Sequence, residues 1–146
     1  LASAGHTPAL HRLAGSGAVL RVNPKGRPVG VQIEGRQGGL TLASQTIALE
    51  AGDSLVLYTD GLTEARDRTG EPFGTERIEE SLRLSHADAA TSLESIVSRL
   101  NEFSEGGLSE DDVTLLVLRR RAPADSAAKP RAEVINIFTQ NVAAVL

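Results

Sequence analysis

Two acidic positions 51 residues apart, Asp60 and Asp111, are where this chain is best equipped to do chemistry. Asp60 follows the apolar run Val56-Leu57-Tyr58-Thr59 and precedes Gly61, while Asp111 and Asp112 open the run Val113-Thr114-Leu115-Leu116-Val117-Leu118. Each segment puts a carboxylate at the tip of a strand-forming, core-seeking stretch. An ionised carboxylate at the apolar edge of a core is costly unless something pairs with it, and a hard divalent cation bound through oxygen suits that role in a lysine-poor neighbourhood. Two such tips side by side make half a metal site. Each motif also has a plainer reading: Asp-Gly is a common turn dipeptide, and Asp111-Asp112 can be a loop of solvated acids. Glu64 reads as a surface acid capping the following turn, and Asp53 as a hairpin-turn residue.

Strand-like runs at 18–22, 29–34, 46–50 and 54–59 alternate with Asn23-Pro24, Gly38-Gly39 and Ala51-Gly52-Asp53, the pattern of an antiparallel meander. The short Ala51-Gly52-Asp53 connection makes a hairpin of the last two runs and puts Asp60 on an exposed rim. Beyond Gly61 the spacing turns helical. The expected helices are 74–84, capped by Thr75, and 90–105, opened by a Thr91/Glu94 capping box and ended by Gly106-Gly107. Leu93, Ile96, Val97, Leu100 and Phe103 recur at three and four residues, an apolar stripe that must lie against a sheet. The fold class expected is therefore α+β, antiparallel sheet covered by helices.

Composition narrows the partners. With 146 residues and 40% apolar content the chain can bury a core, and a net charge of -4 offers no basic footprint for nucleic acid. The absence of cysteine excludes disulfides and thiolate metal sites. Apolar stretches fall far short of the ~20 residues that span a bilayer, so no membrane partner and a cytoplasmic location are expected.

Five segments in order resemble the SpoIIE-like branch of the metal-dependent type 2C serine/threonine protein phosphatases: Ser3-Ala4-Gly5-His6-Thr7-Pro8-Ala9-Leu10, Arg27-Pro28-Val29-Gly30-Val31, the stretch from Glu50 to Ala65 around Tyr58-Thr59-Asp60-Gly61, Phe73-Gly74, and Asp111-Asp112-Val113-Thr114. The resemblance covers residues 1–121 and implies the C-terminal portion of an α-β-β-α layered sandwich. The family's domain begins with a further Asp-Gly metal-bridging motif, which has no counterpart here. By resemblance, Asp60 and Asp111 are ligands of two Mg²⁺ or Mn²⁺ ions and Gly61 lets the chain turn close to them; Asp112 is a weaker metal-ligand candidate and reads chiefly as a brace of the loop. His6 becomes a candidate acid for the leaving alkoxide, its ordinary pKa lying near neutrality, although a His between Gly and Pro commonly fixes a loop. His11 and His86 stand in no visible constellation and read as solvated. The implied substrate is a phosphoserine or phosphothreonine on a signalling protein, such as an anti-sigma-factor antagonist.

Residues 122–132 read as a linker. Val134, Ile137, Phe138, Val142 and Val145 give 133–146 the look of an amphipathic helical tail or the start of a further element, with a strand at 134–138 as the alternative. Other phosphatase chemistries fit less well. A haloacid-dehalogenase enzyme needs a nucleophilic Asp where Tyr58 stands, and no Gly-Lys-Ser/Thr loop serves a nucleotide. The rival class is a non-catalytic interaction module or pseudophosphatase fragment that binds a partner protein; in either class the chain is expected to self-associate or to dock with the portion that carries the missing motif.

Overall fold

The computed structural model describes residues 1–28, 43–85, 88–105 and 111–121, together with the backbone of 132–140. Its elements run β1 (Ala2–Ser3), β2 (Ala9–Arg12), β3 (Val19–Val22), β4 (Ala43–Ser44), β5 (Ser54–Tyr58), α1 (Asp60–Glu64), α2 (Gly74–Leu84), α3 (Ala89–Phe103), β6 (Val113–Arg120) and β7 (Ala132–Gln140). A five-stranded antiparallel sheet has the order β3-β2-β5-β6-β7, and β1 pairs with β4 in a small second sheet. The architecture is α+β, as the spacing implied.

Alternation sets the faces. In β5 every second residue is buried, as in the first part of β6, and the register pairs Val56 with Val117 and Tyr58 with Leu115. Those side chains share one face of the sheet. Onto it pack α2 through Ile78 and Leu82 and α3 through Ile96 and Leu100, each pair four residues apart and almost inaccessible to water. Burying one such side chain contributes ~1.5–3 kcal/mol, so the helices are packing layers that keep the central strands in place.

Several expectations are corrected. Residues 46–50 form no strand. The place beside β5 is taken by β2, whose four residues are all buried, and β5 pairs with β2 and β6 instead of closing a hairpin on 46–50. The run at 29–34 lies outside the described residues, as do His86 and Gly106-Gly107. The α2 start has no side-chain cap from Thr75. The α3 cap is Asp88, whose carboxylate accepts the Thr91 amide at 2.9 Å, in place of a Thr91/Glu94 box. The helical tail is overturned and its alternative holds: β7 pairs antiparallel with β6, an edge on which extended backbone gains ladder bonds that a lone short helix lacks. Residues 122–131 and 141–146 are outside the description.

Candidate functional site

Because β5 and β6 are antiparallel neighbours, the C-terminal end of one meets the N-terminal end of the other. Tyr58 pairs with Leu115, so Thr59 and Asp60 leave β5 beside the residues that lead into Val113. Asp60 and Asp111 are therefore at one edge of the sheet, and both are exposed.

The two tips are built alike. Asp60 opens α1, and its Oδ1 accepts the amide of the next residue, Gly61, at 3.1 Å. Asp111 Oδ1 likewise accepts the amide of the next residue, Asp112, at 2.7 Å. The two following residues are themselves in contact, since a Cβ on Gly61 would lie 2.5 Å from the Asp112 carbonyl oxygen. Only glycine permits this approach. The sequence assigned Gly61 a turn; its actual position is the buried first turn of a helix, and what the site needs from it is the absence of a side chain.

A hydroxyl fastens the same edge. Thr59 Oγ1 donates to the Asp112 carbonyl at 2.8 Å and accepts the Thr114 amide at 2.9 Å. In the sequence Thr59 was only a motif letter, because its partners stand 53 and 55 residues away.

The Gly-His-Thr-Pro segment arrives at this edge as well. Thr7 Oγ1 donates to the Tyr58 carbonyl, one residue before Thr59. Gly5, at φ 86°, leaves 2.5 Å between a would-be Cβ and Pro28 Cγ, so the 3–8 loop is seated against the 26–28 segment. His6 is exposed, and its backbone amide donates to Ser3 Oγ at 3.2 Å. Glu64 is exposed at the end of α1.

Exposed carboxylates are hard oxygen donors, and Mg²⁺-like ions, which keep several waters and take one or two carboxylates, suit such a pair. Among the described residues no group of three His, Cys, Asp or Glu is placed to hold a metal ion. Asp60 and Asp111 are two such donors, fewer than a complete ligand set.

His11 is not solvated, and Asp53, whose amide closes a turn on the Glu50 carbonyl at 2.9 Å, does more than turn the chain. His11 and Asp53 are buried, with His11 Nε2 2.9 Å from Asp53 Oδ2. Asp53 also accepts the amides of Ala14 at 2.8 Å and Glu50 at 2.9 Å. Burial pushes its carboxyl up, but the Ala14, Glu50 and His11 hydrogen bonds together outweigh that and hold it below the usual carboxylate range. This pair lies at the far end of β5 from Asp60 and ties the β2–β3 turn to the start of β5. No helix among the described residues is long and apolar enough to cross a membrane.

The family model described as Stage II sporulation protein E (SpoIIE) matches residues 1–121. Protein IcfG of Synechocystis sp. is 30% identical over 118 residues, which is 81% of this chain and 18% of that protein. Phosphoserine phosphatase RsbU of Bacillus subtilis is 29% identical over 123 residues, 82% of this chain and 34% of that protein. The chain thus spans about a third or less of these curated relatives. Among solved structures, the phosphatase domain of the cell fate determinant SpoIIE from Bacillus subtilis, Mn presoaked, superposes with a TM-score of 0.60 at 17% identity, covering 85% of this chain and 51% of that one. The solved structure shows the shared fold, and the family model's match to residues 1–121 shows that the chain belongs to the SpoIIE family.

Proposed function

We propose that this chain is part of a metal-dependent protein serine/threonine phosphatase that acts on a phosphorylated bacterial signalling protein in sigma-factor regulation. The observation that carries the reading is the meeting of Asp60 and Asp111 at one sheet edge, locked by the backbone contact of Gly61 with Asp112. It is supported by family membership and by the similarity to a protein named as a phosphoserine phosphatase.

In this reading Asp60 and Asp111 are the ligands, and Asp112 acts through its backbone. Held by Asp60 and Asp111, Mg²⁺ or Mn²⁺ would supply an activated water and would offset the charge of the phosphoryl oxygens. Without cations, two carboxylates repel a phosphate ester, so turnover depends strictly on metal. His6, exposed on the loop that Thr7 fastens to β5, is the candidate proton donor to the leaving serine or threonine alkoxide. The substrate class is a small phosphoprotein such as an anti-sigma-factor antagonist.

The chain covers about half of the solved domain it matches. The activity is accordingly proposed for a longer protein containing this segment, and the chain alone is expected to bind Mn²⁺ weakly and to hydrolyse a phosphoserine peptide negligibly. The test is hydrolysis of such a peptide by the longer protein, with and without Mn²⁺. Asp60→Asn should abolish turnover and leave the melting temperature unchanged, since it removes a ligand charge without opening a cavity. Activity that survives chelation, or near-normal turnover by Asp60→Asn, overturns the mechanism and favours a non-catalytic interaction module.

A further inference from the structure

We propose that Thr59 is a positioning residue whose hydroxyl sets both carboxylate tips at once; the proposal rests on the metal-site reading above. In a regular antiparallel ladder the Thr114 amide would donate to the backbone carbonyl of Thr59, matching the bond from the Thr59 amide to the Thr114 carbonyl at 3.0 Å. Here the Thr114 amide goes to Thr59 Oγ1 instead, at 2.9 Å. The side chain takes over from its own carbonyl. That carbonyl then accepts the Leu62 amide at 3.1 Å, the turn that begins α1 with Asp60 at its head.

Thr59 occupies the N-cap position of α1, where a threonine hydroxyl ordinarily accepts an amide of the first helical turn. It makes no such cap. It is turned across to β6, where it donates to the Asp112 carbonyl at 2.8 Å. The Asp112 amide in turn donates to Asp111 Oδ1 at 2.7 Å. A relay therefore runs from the Thr59 hydroxyl through one residue's carbonyl and amide to the Asp111 carboxylate, while the freed Thr59 carbonyl fixes the turn that carries Asp60. Serine can reproduce every one of these bonds. Valine, of the same shape, can make neither of the two hydroxyl bonds.

The test is Mn²⁺ affinity, read from the electron paramagnetic resonance of free Mn²⁺ in titrations of the longer protein that contains this segment, with circular dichroism to verify folding. Thr59→Val should weaken binding by ~10–100-fold, the range seen when a group that orients a metal ligand is removed. Thr59→Ser should retain wild-type affinity, and exchange of the Thr114 amide should quicken in the valine variant alone. In an Asp111→Asn background the valine substitution should cost much less, because the relay then ends on a group that no longer carries the ligand charge. Thr59→Ala serves in place of valine if that variant fails to fold. Wild-type affinity in Thr59→Val, an equal defect in Thr59→Ser, or additivity with Asp111→Asn overturns the proposal. If Asp60→Asn and Asp111→Asn both bind Mn²⁺ as the wild type does, the metal reading itself falls, and this proposal with it.

Discussion

Gly61 and Asp112 meet backbone to backbone: a methyl on the first would lie 2.5 Å from the carbonyl oxygen and 2.9 Å from the carbonyl carbon of the second. A contact with main chain cannot be relieved by rotating a side chain. Alanine at Gly61 would gain helix propensity in α1, yet it must push the Asp111–Asp112 loop away. Overpacking of this kind costs ~1–3 kcal/mol, against at most ~1 kcal/mol gained in propensity. Gly61→Ala is therefore expected to lower the urea midpoint and to weaken Mn²⁺ binding together. A variant more stable than the wild type with unchanged affinity would show that the loop yields freely.

Acid should loosen the end of β5 remote from the site. Asp53 is held below the ordinary carboxylate range in the folded chain, so its contribution is fully present above the unfolded value of ~3.9 and is lost as pH falls through the lower folded value. The wild type should lose stability below about pH 4 more steeply than Asp53→Asn, which has no such proton to take up. At pH 7 Asp53→Asn should be less stable by ~1–3 kcal/mol, because an amide NH₂ in place of the second carboxylate oxygen only donates and leaves the Glu50 amide without its acceptor. Denaturant melts of both proteins from pH 3 to 7 provide the check, and parallel profiles would rule the Asp53 account out.

Arg12 anchors α2 to the sheet. It is 3% exposed, and its Nε donates at 2.7 Å to the carbonyl of Leu82, in the last turn of the helix, where carbonyls lack partners and a cation is favoured. Arg12→Met keeps most of the stem and loses the donor. The expected cost is ~1–3 kcal/mol, seen as faster amide exchange in the last turn of α2. Unchanged exchange there would place the stabilisation elsewhere.

The start of α3 distinguishes two caps. Asp88→Ala should lower the thermal midpoint, since Asp88 accepts the Thr91 amide, whereas Glu94→Ala should leave it in place. The reverse order would restore the capping box that the sequence suggests.

These cases show what the sequence could reveal. The stripe of Ile96 and Leu100 and the alternation of Val56 with Tyr58 were legible because one face of each element is buried by many partners, so period alone carries the information. The strand β2 was not. It has four residues, includes a histidine and an arginine, and is buried on both faces, with His11 meeting Asp53, 42 positions away, and Arg12 meeting Leu82, 70 positions away. The spacing in β7 suits a helix or a strand equally, and the free edge of β6 decides it. At the site, Asp60 and Asp111 could be picked out as types, while the Thr59 hydroxyl and the bare Gly61 Cα act on backbone atoms that no motif displays.

Between the end of β5 and the start of β6 the chain makes an excursion through α1, α2 and α3 before returning to pair with the strand it left. The two carboxylates thus become neighbours only after a loop of about fifty residues has closed, an entropic step that comes late when such distant contacts must form. The pairing of Asp60 with Asp111 is a tertiary object, absent from any peptide that ends before Val113. On the proposed metal reading, occupancy by a cation should rise and fall with the cooperative folding transition, so that the ion would stabilise the whole sheet by mass action and its release would report global unfolding.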